Sequence, residues 1–218
     1  MGGDEFRPPV TGFDRLLLAL AGDKLPKVAI LPTAAAQQNP QLAAANGVGH
    51  FQALGAEAYA VMIVDSDSAN DPALADQLGE AGLIYLCGGS PILLRDCLRD
   101  SLAWNRLLEM YAQGAIIAGS SAGAMVLCET MLHPGPPSPG LGLLPGLAVA
   151  PHFERRGEDA VSDLRKGLAA ELTVLGIDGG TGCILRDGEW QVRGVGRVLV
   201  MRQNSVTTCT AGASFRLD

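Results

Sequence analysis

The sequence predicts an α/β protein: a mostly parallel, doubly wound sheet with helices on both faces, making three layers, and antiparallel strands towards the C-terminus. Three observations predict it. Short apolar runs alternate with amphipathic helical patterns through the first 127 positions, and such alternation calls for parallel strands joined by crossover helices. Residues 114–127, GAIIAGSSAGAMVL, read as a buried strand that meets a glycine-rich turn and continues as a helix. Beyond residue 186, Asp187-Gly188 joins two β-rich runs, a hairpin signal.

In order, residues 12–21 carry Phe13, Leu16, Leu17 and Leu20 at helical spacing, and Gly22 ends that helix. KVAIL at 27–31 is a buried strand closed by Pro32, and a polar loop opens at Thr33. Residues 40–54 are helical, with Gly47 and Gly49 as weak points. AYAVMIV at 58–64 is the next strand, and Asp65-Ser66-Asp67-Ser68 follows as a solvated loop. Helix 72–81 has proline in its first turn. Strand 83–86 runs into Cys87-Gly88-Gly89-Ser90, and helices 91–99 and 102–113 lead to strand 115–118 and helix 122–127. Residues 133–146, HPGPPSPGLGLLPG, are an irregular loop over the site. Then come a strand at 147–150, a helix at 158–175, a tight segment at 176–182, a short run at 183–185, and strands 190–195, 197–201 and 205–210. The whole is read as one domain, residues 1–218.

Composition narrows the function. A formal charge of −7 leaves no electrostatic footprint for nucleic acid or an acidic membrane. Residues 1–5 lack the basic start of a secretion signal, and no apolar stretch reaches membrane-spanning length. Cysteines 87, 97, 128, 183 and 209 show no C-x-x-C spacing, and His50, His133 and His152 lie apart from them. Neither a metal nor a cofactor is therefore expected, and the setting is a reducing cytoplasm. Apolar tail strands are a reason to look for a homodimer.

The chemistry centres on Gly119-Ser120-Ser121-Ala122-Gly123. A sharp strand-to-helix turn needs small neighbours, which Gly119, Ala122 and Gly123 supply, and the helix N-terminus suits a developing oxyanion. Ser121 is preferred over Ser120 because glycines flank it two residues away on each side. A serine hydroxyl needs a base, and His152 at a strand end is the best placed; His133, opening the loop, ranks second, and His50 lies in a helix pattern. The imidazole in turn needs a carboxylate. Only Glu129 lies between Ser121 and His152; after His152, Asp178 at a strand-to-loop junction is best placed. Arg155 and Arg156 match a substrate carboxylate in a two-point fork.

Gly119-Ser120-Ser121-Ala122-Gly123-Ala124, Gly140-Leu141-Gly142-Leu143-Leu144-Pro145-Gly146, Pro151-His152-Phe153 with Arg155 and Arg156, and Gly176-Ile177-Asp178 with Thr181 together resemble peptidase family S51. That family includes cyanophycinase and the aspartyl dipeptidase peptidase E, and its fold is like a class I glutamine amidotransferase domain. The resemblance implies a serine hydrolase acting on a small peptide, with Ser121 as nucleophile, His152 as base, and an oxyanion hole from the backbone N–H groups of Gly89 and Ala122. Two positions depart from the family pattern. A glutamate usually follows Gly-Ile-Asp, and here Gly179 stands there; the Gly-Gly turn usually continues with Asn or Asp and then Gln, and here Ser90-Pro91 do, leaving Ser90 to meet substrate. Those departures motivate the alternative of a weak or inactive relative that binds a small peptide or amino acid. The family's opening glycine-rich segment follows a first strand, whereas here Gly2-Gly3-Asp4-Glu5 starts at residue 2. An amidotransferase activity is not expected, since it requires cysteine at the elbow.

Overall fold

The computed structural model describes residues 1–22, 25–157, 159–166, 169 and 171–217. The chain divides into two compact units, Asp14–Gly123 on the one hand, and Met1–Phe13 with Ala124–Asp218 on the other. Helix α1 (Thr11–Leu20) runs across the first boundary.

In unit Asp14–Gly123, strand β1 (Lys27–Leu31), helix α2 (Pro40–Ala53), strand β2 (Glu57–Ala60), helices α3 (Ser66–Ala69) and α4 (Pro72–Leu78), strand β3 (Leu83–Leu86), helices α5 (Pro91–Leu98) and α6 (Leu102–Ala112), and strand β4 (Ile116–Gly119) follow one another. The sheet order is β2-β1-β3-β4, with every pair parallel. The chain turns one way from β1 to β2 and the other way to β3, so the order reverses between β1 and β3, the doubly wound arrangement. β3 is buried along its whole length, as its unbroken Leu-Ile-Tyr-Leu run requires. Tyr85 of β3 meets Phe51 of α2 edge to face at 5.5 Å.

Helix starts follow capping chemistry. Asn39, Asp65, Asp71, Ser90 and Ser101 each accept a backbone N–H of the helix they precede, satisfying a donor that the helix itself cannot. The Asp65-Ser66-Asp67-Ser68 stretch is thereby ordered: Asp65 and Ser68 form a reciprocal capping box, and the run becomes α3 rather than a loop. β2 stops at Ala60, short of the expected Val64.

After helix α7 (Ala122–Val126), which spans the second boundary, come strands β5 (Cys128–Met131), β6 (Ser138–Pro139) and β7 (Leu144–Ala150), helix α8 (Ala160–Lys166), and strands β8 (Thr173–Ile177), β9 (Thr181–Arg186), β10 (Glu189–Gly194), β11 (Arg197–Arg202), β12 (Ser205–Thr210) and β13 (Ser214–Phe215). Six of the strands form a sheet of order β12-β11-β8-β7-β5-β6, parallel across β8-β7-β5 and antiparallel outside it. Side chains alternate across that sheet. Leu147, Val149, Leu175, Ile177, Val198 and Val200 pack with Trp190 and Val192 of β10. Ala148, Ala150, Val174, Leu199 and Met201 face the other way, against Phe153 and the α8 residues Val161 and Leu164. The β10 strand belongs to a second sheet, β13-β10-β9, in which Asp187 and Gly188, both at positive φ, form the two-residue hairpin loop.

Two expectations need correcting here. The helix expected over 158–175 ends at Lys166, and its last three positions are the start of β8, the strand at the centre of the six-stranded sheet; residues 158, 167, 168 and 170 lie outside the described ones. The irregular segment 133–146 contains the β6 strand and the first three residues of β7, which pair with β5, a strand the sequence reading omits. The α/β class, with parallel strands, helices and antiparallel strands near the C-terminus, is as expected.

Candidate active site

In unit Asp14–Gly123 the glycine-rich turn closes β4. Gly119 pairs with Leu86, and the Ser120 N–H donates to the Leu86 carbonyl at 3.1 Å, so the turn begins where the β3 ladder ends. Ser121 then takes φ +48°, a left-handed conformation costly for a residue with a β-carbon. Gly123 N–H donates back to the Ser120 carbonyl at 2.8 Å. A β-carbon on Gly123 would collide with the Leu86 carbonyl, so only glycine lets α7 start this close to β3. Ser120 is fully buried and its Oγ has no hydrogen-bond partner among the described residues, whereas Ser121 is partly exposed.

Past the end of β3, Gly89 adopts φ +143°, and a β-carbon there would strike the Ala34 carbonyl, which also accepts the Ser90 N–H at 2.8 Å. Gly88-Gly89 is thus held at the carboxyl ends of β1 and β3, where the strand order reverses and ligands of such sheets bind. Ser90 caps α5, its Oγ accepting the Leu93 N–H at 3.3 Å.

In the other unit, β7 delivers His152 at φ +49°, ψ +43°, again left-handed. Its N–H donates to the Gly2 carbonyl at 2.9 Å, and Gly2 N–H donates to Thr181 at 2.9 Å, so the opening segment is laid between the ends of β7 and β9. Gly3, at φ +147°, lies against the imidazole so closely that a β-carbon would overlap it. The His152 Nδ1 is buried without a hydrogen-bond partner among the described residues. Arg155 at the end of the short turn Phe153–Arg155 and Arg156 just after it are exposed, with the Arg156 guanidinium 6.0 Å from the Phe153 ring centroid.

Asp178 follows β8, nearly buried; its Oδ2 accepts the Arg197 N–H at 3.1 Å with the Arg197 Nε at 3.6 Å, and its Oδ1 is buried without a partner among the described residues. Glu154, which the sequence reading passed over, sends Oε2 to the Gly179 N–H at 2.7 Å. The residues read as second choices are otherwise occupied. His133 Nδ1 faces the Pro134 carbonyl at 3.0 Å, so it carries the proton, and Nε2 at 2.9 Å from Ser138 Oγ ties down the loop. Glu129 accepts the Gly146 N–H at 2.8 Å, and His50 Nε2 lies 2.8 Å from buried Asp14. Among the described residues no cluster of His, Cys, Asp and Glu is arranged to hold a metal ion, and no helix is long and apolar enough to cross a membrane.

Comparison with known proteins places these features in a family. The chain is 26% identical over 223 residues to cyanophycinase from Trichormus variabilis, covering 95% of this chain and 74% of that protein. The crystal structure of a peptidase from an acI-B1 Actinobacterium superposes with a TM-score of 0.88 at 28% identity, covering 100% of this chain and 95% of that one. A peptidase E-like protein from Listeria monocytogenes shares the fold, with a TM-score of 0.55 at 16% identity over 93% of this chain and 92% of its own. The profile of peptidase family S51 matches residues 5–193, and the chain belongs to that family.

Proposed function

We propose that this S51 peptidase cleaves a short peptide or isopeptide bond through an acyl-enzyme on Ser121, with His152 as the base. The observation that carries the reading is the left-handed Ser121 at the carboxyl end of a parallel strand, in a chain of a peptidase family. The Ser121 hydroxyl attacks the scissile carbonyl carbon while His152 takes its proton. The carbonyl oxygen becomes an oxyanion, received by the N–H groups of Gly89 and Ala122. Collapse of the tetrahedral intermediate breaks the C–N bond, and the proton on His152 leaves with the amine. Water, deprotonated by the same imidazole, then hydrolyses the ester and restores the serine. Arg155 and Arg156 supply guanidinium forks for a substrate carboxylate. A carboxylate must orient the imidazole, and nearly buried Asp178 and exposed Glu154, which is bound to the Gly179 amide, are two acids near the strand end.

Incubation with a fluorophosphonate tests the nucleophile directly. The expected result is one adduct on Ser121, abolished in Ser121→Ala and His152→Gln; folded protein with no adduct refutes the reading. A second reading, a weak or inactive peptide binder, is favoured by Gly179, which offers no side chain where relatives of this family place an acid. Peptide binding by calorimetry without turnover, and without Ser121 labelling, would establish it.

A further inference from the structure

A histidine that takes a proton on one ring nitrogen works best when the other nitrogen donates to a fixed acceptor. His152 Nδ1 is buried and unpartnered among the described residues, a state that costs folding free energy unless an acceptor meets it. Acceptors are gathered around Gly179. A β-carbon on that residue would lie 2.6 Å from Asp4 Oδ2 and 3.2 Å from Glu154 Oε1. Two carboxylates from other parts of the chain therefore occupy the volume that a side chain at 179 would fill. Glycine at 179 admits them.

Of the two, Glu154 is the better fixed. It lies two residues past His152, on the turn Phe153–Arg155 in which the Arg155 amide returns to the His152 carbonyl at 3.0 Å, so the backbone that sets the ring also sets the carboxylate. Its Oε2 accepts the Gly179 N–H at 2.7 Å and its Oε1 the Arg155 Nε at 3.1 Å. Partial burial pushes its carboxyl upward, but the Gly179 amide, its own amide, Arg155 and the charge of His152 outweigh that and hold it below the ordinary glutamate value. It is an anion at neutral pH and lies within electrostatic reach of the imidazole. Asp178 has Oδ2 bound to the Arg197 amide, where it anchors the start of β11, and its buried Oδ1, without a partner among the described residues, is the competing acceptor that the test must exclude.

We infer that Glu154, resting on the Gly179 amide, is the positioning residue of His152, accepting the Nδ1–H through Oε1 and so leaving Nε2 free to act as base. The assignment rests on His152 being that base. Asp4 places a second carboxylate beside the same glycine.

The test uses ¹⁵N-histidine-labelled full-length protein, with the His152 signals assigned by His152→Gln, alongside fluorophosphonate labelling rates. Wild type is expected to show His152 as the Nδ1–H tautomer with a downfield ring proton. Glu154→Gln is expected to lose that proton signal and to label Ser121 about 10²- to 10⁴-fold more slowly, while Glu154→Asp recovers part of both. An unchanged His152 spectrum in folded Glu154→Gln overturns the assignment, as does a loss confined to Asp178→Asn. Should wild-type Ser121 resist labelling altogether, the catalytic reading fails, and the spectra still decide whether Glu154 holds the ring.

Discussion

Gly3 and His152 are in contact through backbone and ring: the Gly3 Cα faces the imidazole at a distance that excludes a β-carbon, while the neighbouring Gly2 carbonyl holds the His152 amide at 2.9 Å. The opening residues of the chain thus form one wall of the histidine's setting. Gly3→Ala is expected to displace the ring, lowering kcat or the labelling rate at least about tenfold and costing roughly 1–3 kcal/mol, the usual range for overpacking. Gly22→Ala is the control. It also sits at positive φ but has open space around it, so about 1 kcal/mol of strain and no change in labelling are expected.

At the elbow, Gly123→Ala drives a methyl group into the Leu86 carbonyl, a backbone atom that cannot swing away. Chemical denaturation should show a loss of at least about 2 kcal/mol, and the Ser121 labelling rate should fall with it, since α7 can start only by shifting the turn.

Ser90 separates two roles. As the cap of α5 it is expected to lose about 1 kcal/mol in Ser90→Ala and to recover it in Ser90→Asp, which keeps an acceptor oxygen. If the hydroxyl also meets substrate, KM will rise in both variants regardless of stability; KM that stays at the wild-type value restricts Ser90 to capping.

Asp14 is fully buried beside His50, and burial, opposed by the hydrogen bond to His50, pushes its pKa up to about 6 from 3.8. A carboxyl whose pKa is raised on folding binds its proton more tightly in the native state. Its contribution to stability is therefore full below about pH 4 and is lost as pH rises through 6, a change of about 3 kcal/mol. Urea midpoints measured from pH 4 to 7 should fall on this account in wild type, and Asp14→Asn should flatten that part of the profile. An unaltered slope would refute the assignment to Asp14.

Much of the parallel-sheet unit is legible in the sequence because its strands are short apolar runs between strong punctuation. Lys27–Leu31 and Leu83–Leu86 are bounded as read, and the caps and prolines place most helix starts to the residue. The reading fails where apolar residues are ambiguous in period. Leu164, Leu172 and Leu175 keep helical spacing into Thr173–Ile177, so a central strand reads as the end of a helix. Cys128–Met131 carries only one β-branched residue and follows α7 after a single position, so no boundary shows. At the candidate site, Ser121 and His152 announce themselves by local pattern, and both take left-handed backbone. Glu154 does not: its bond to Gly179 joins positions 25 apart, and nothing in either local stretch signals that one will fill the space left by the other.

The unit that carries His152 draws residues 1–13 together with residues beyond 123, whereas Asp14–Gly123 is continuous. On the ribosome the first glycines therefore emerge long before the strand ends that receive them, Thr181 above all. The middle of the polypeptide has all its own partners early, but the imidazole acquires its surroundings only once synthesis has passed β9. A truncated or stalled nascent chain would hold a formed Ser121 turn while the setting of His152 was still unassembled.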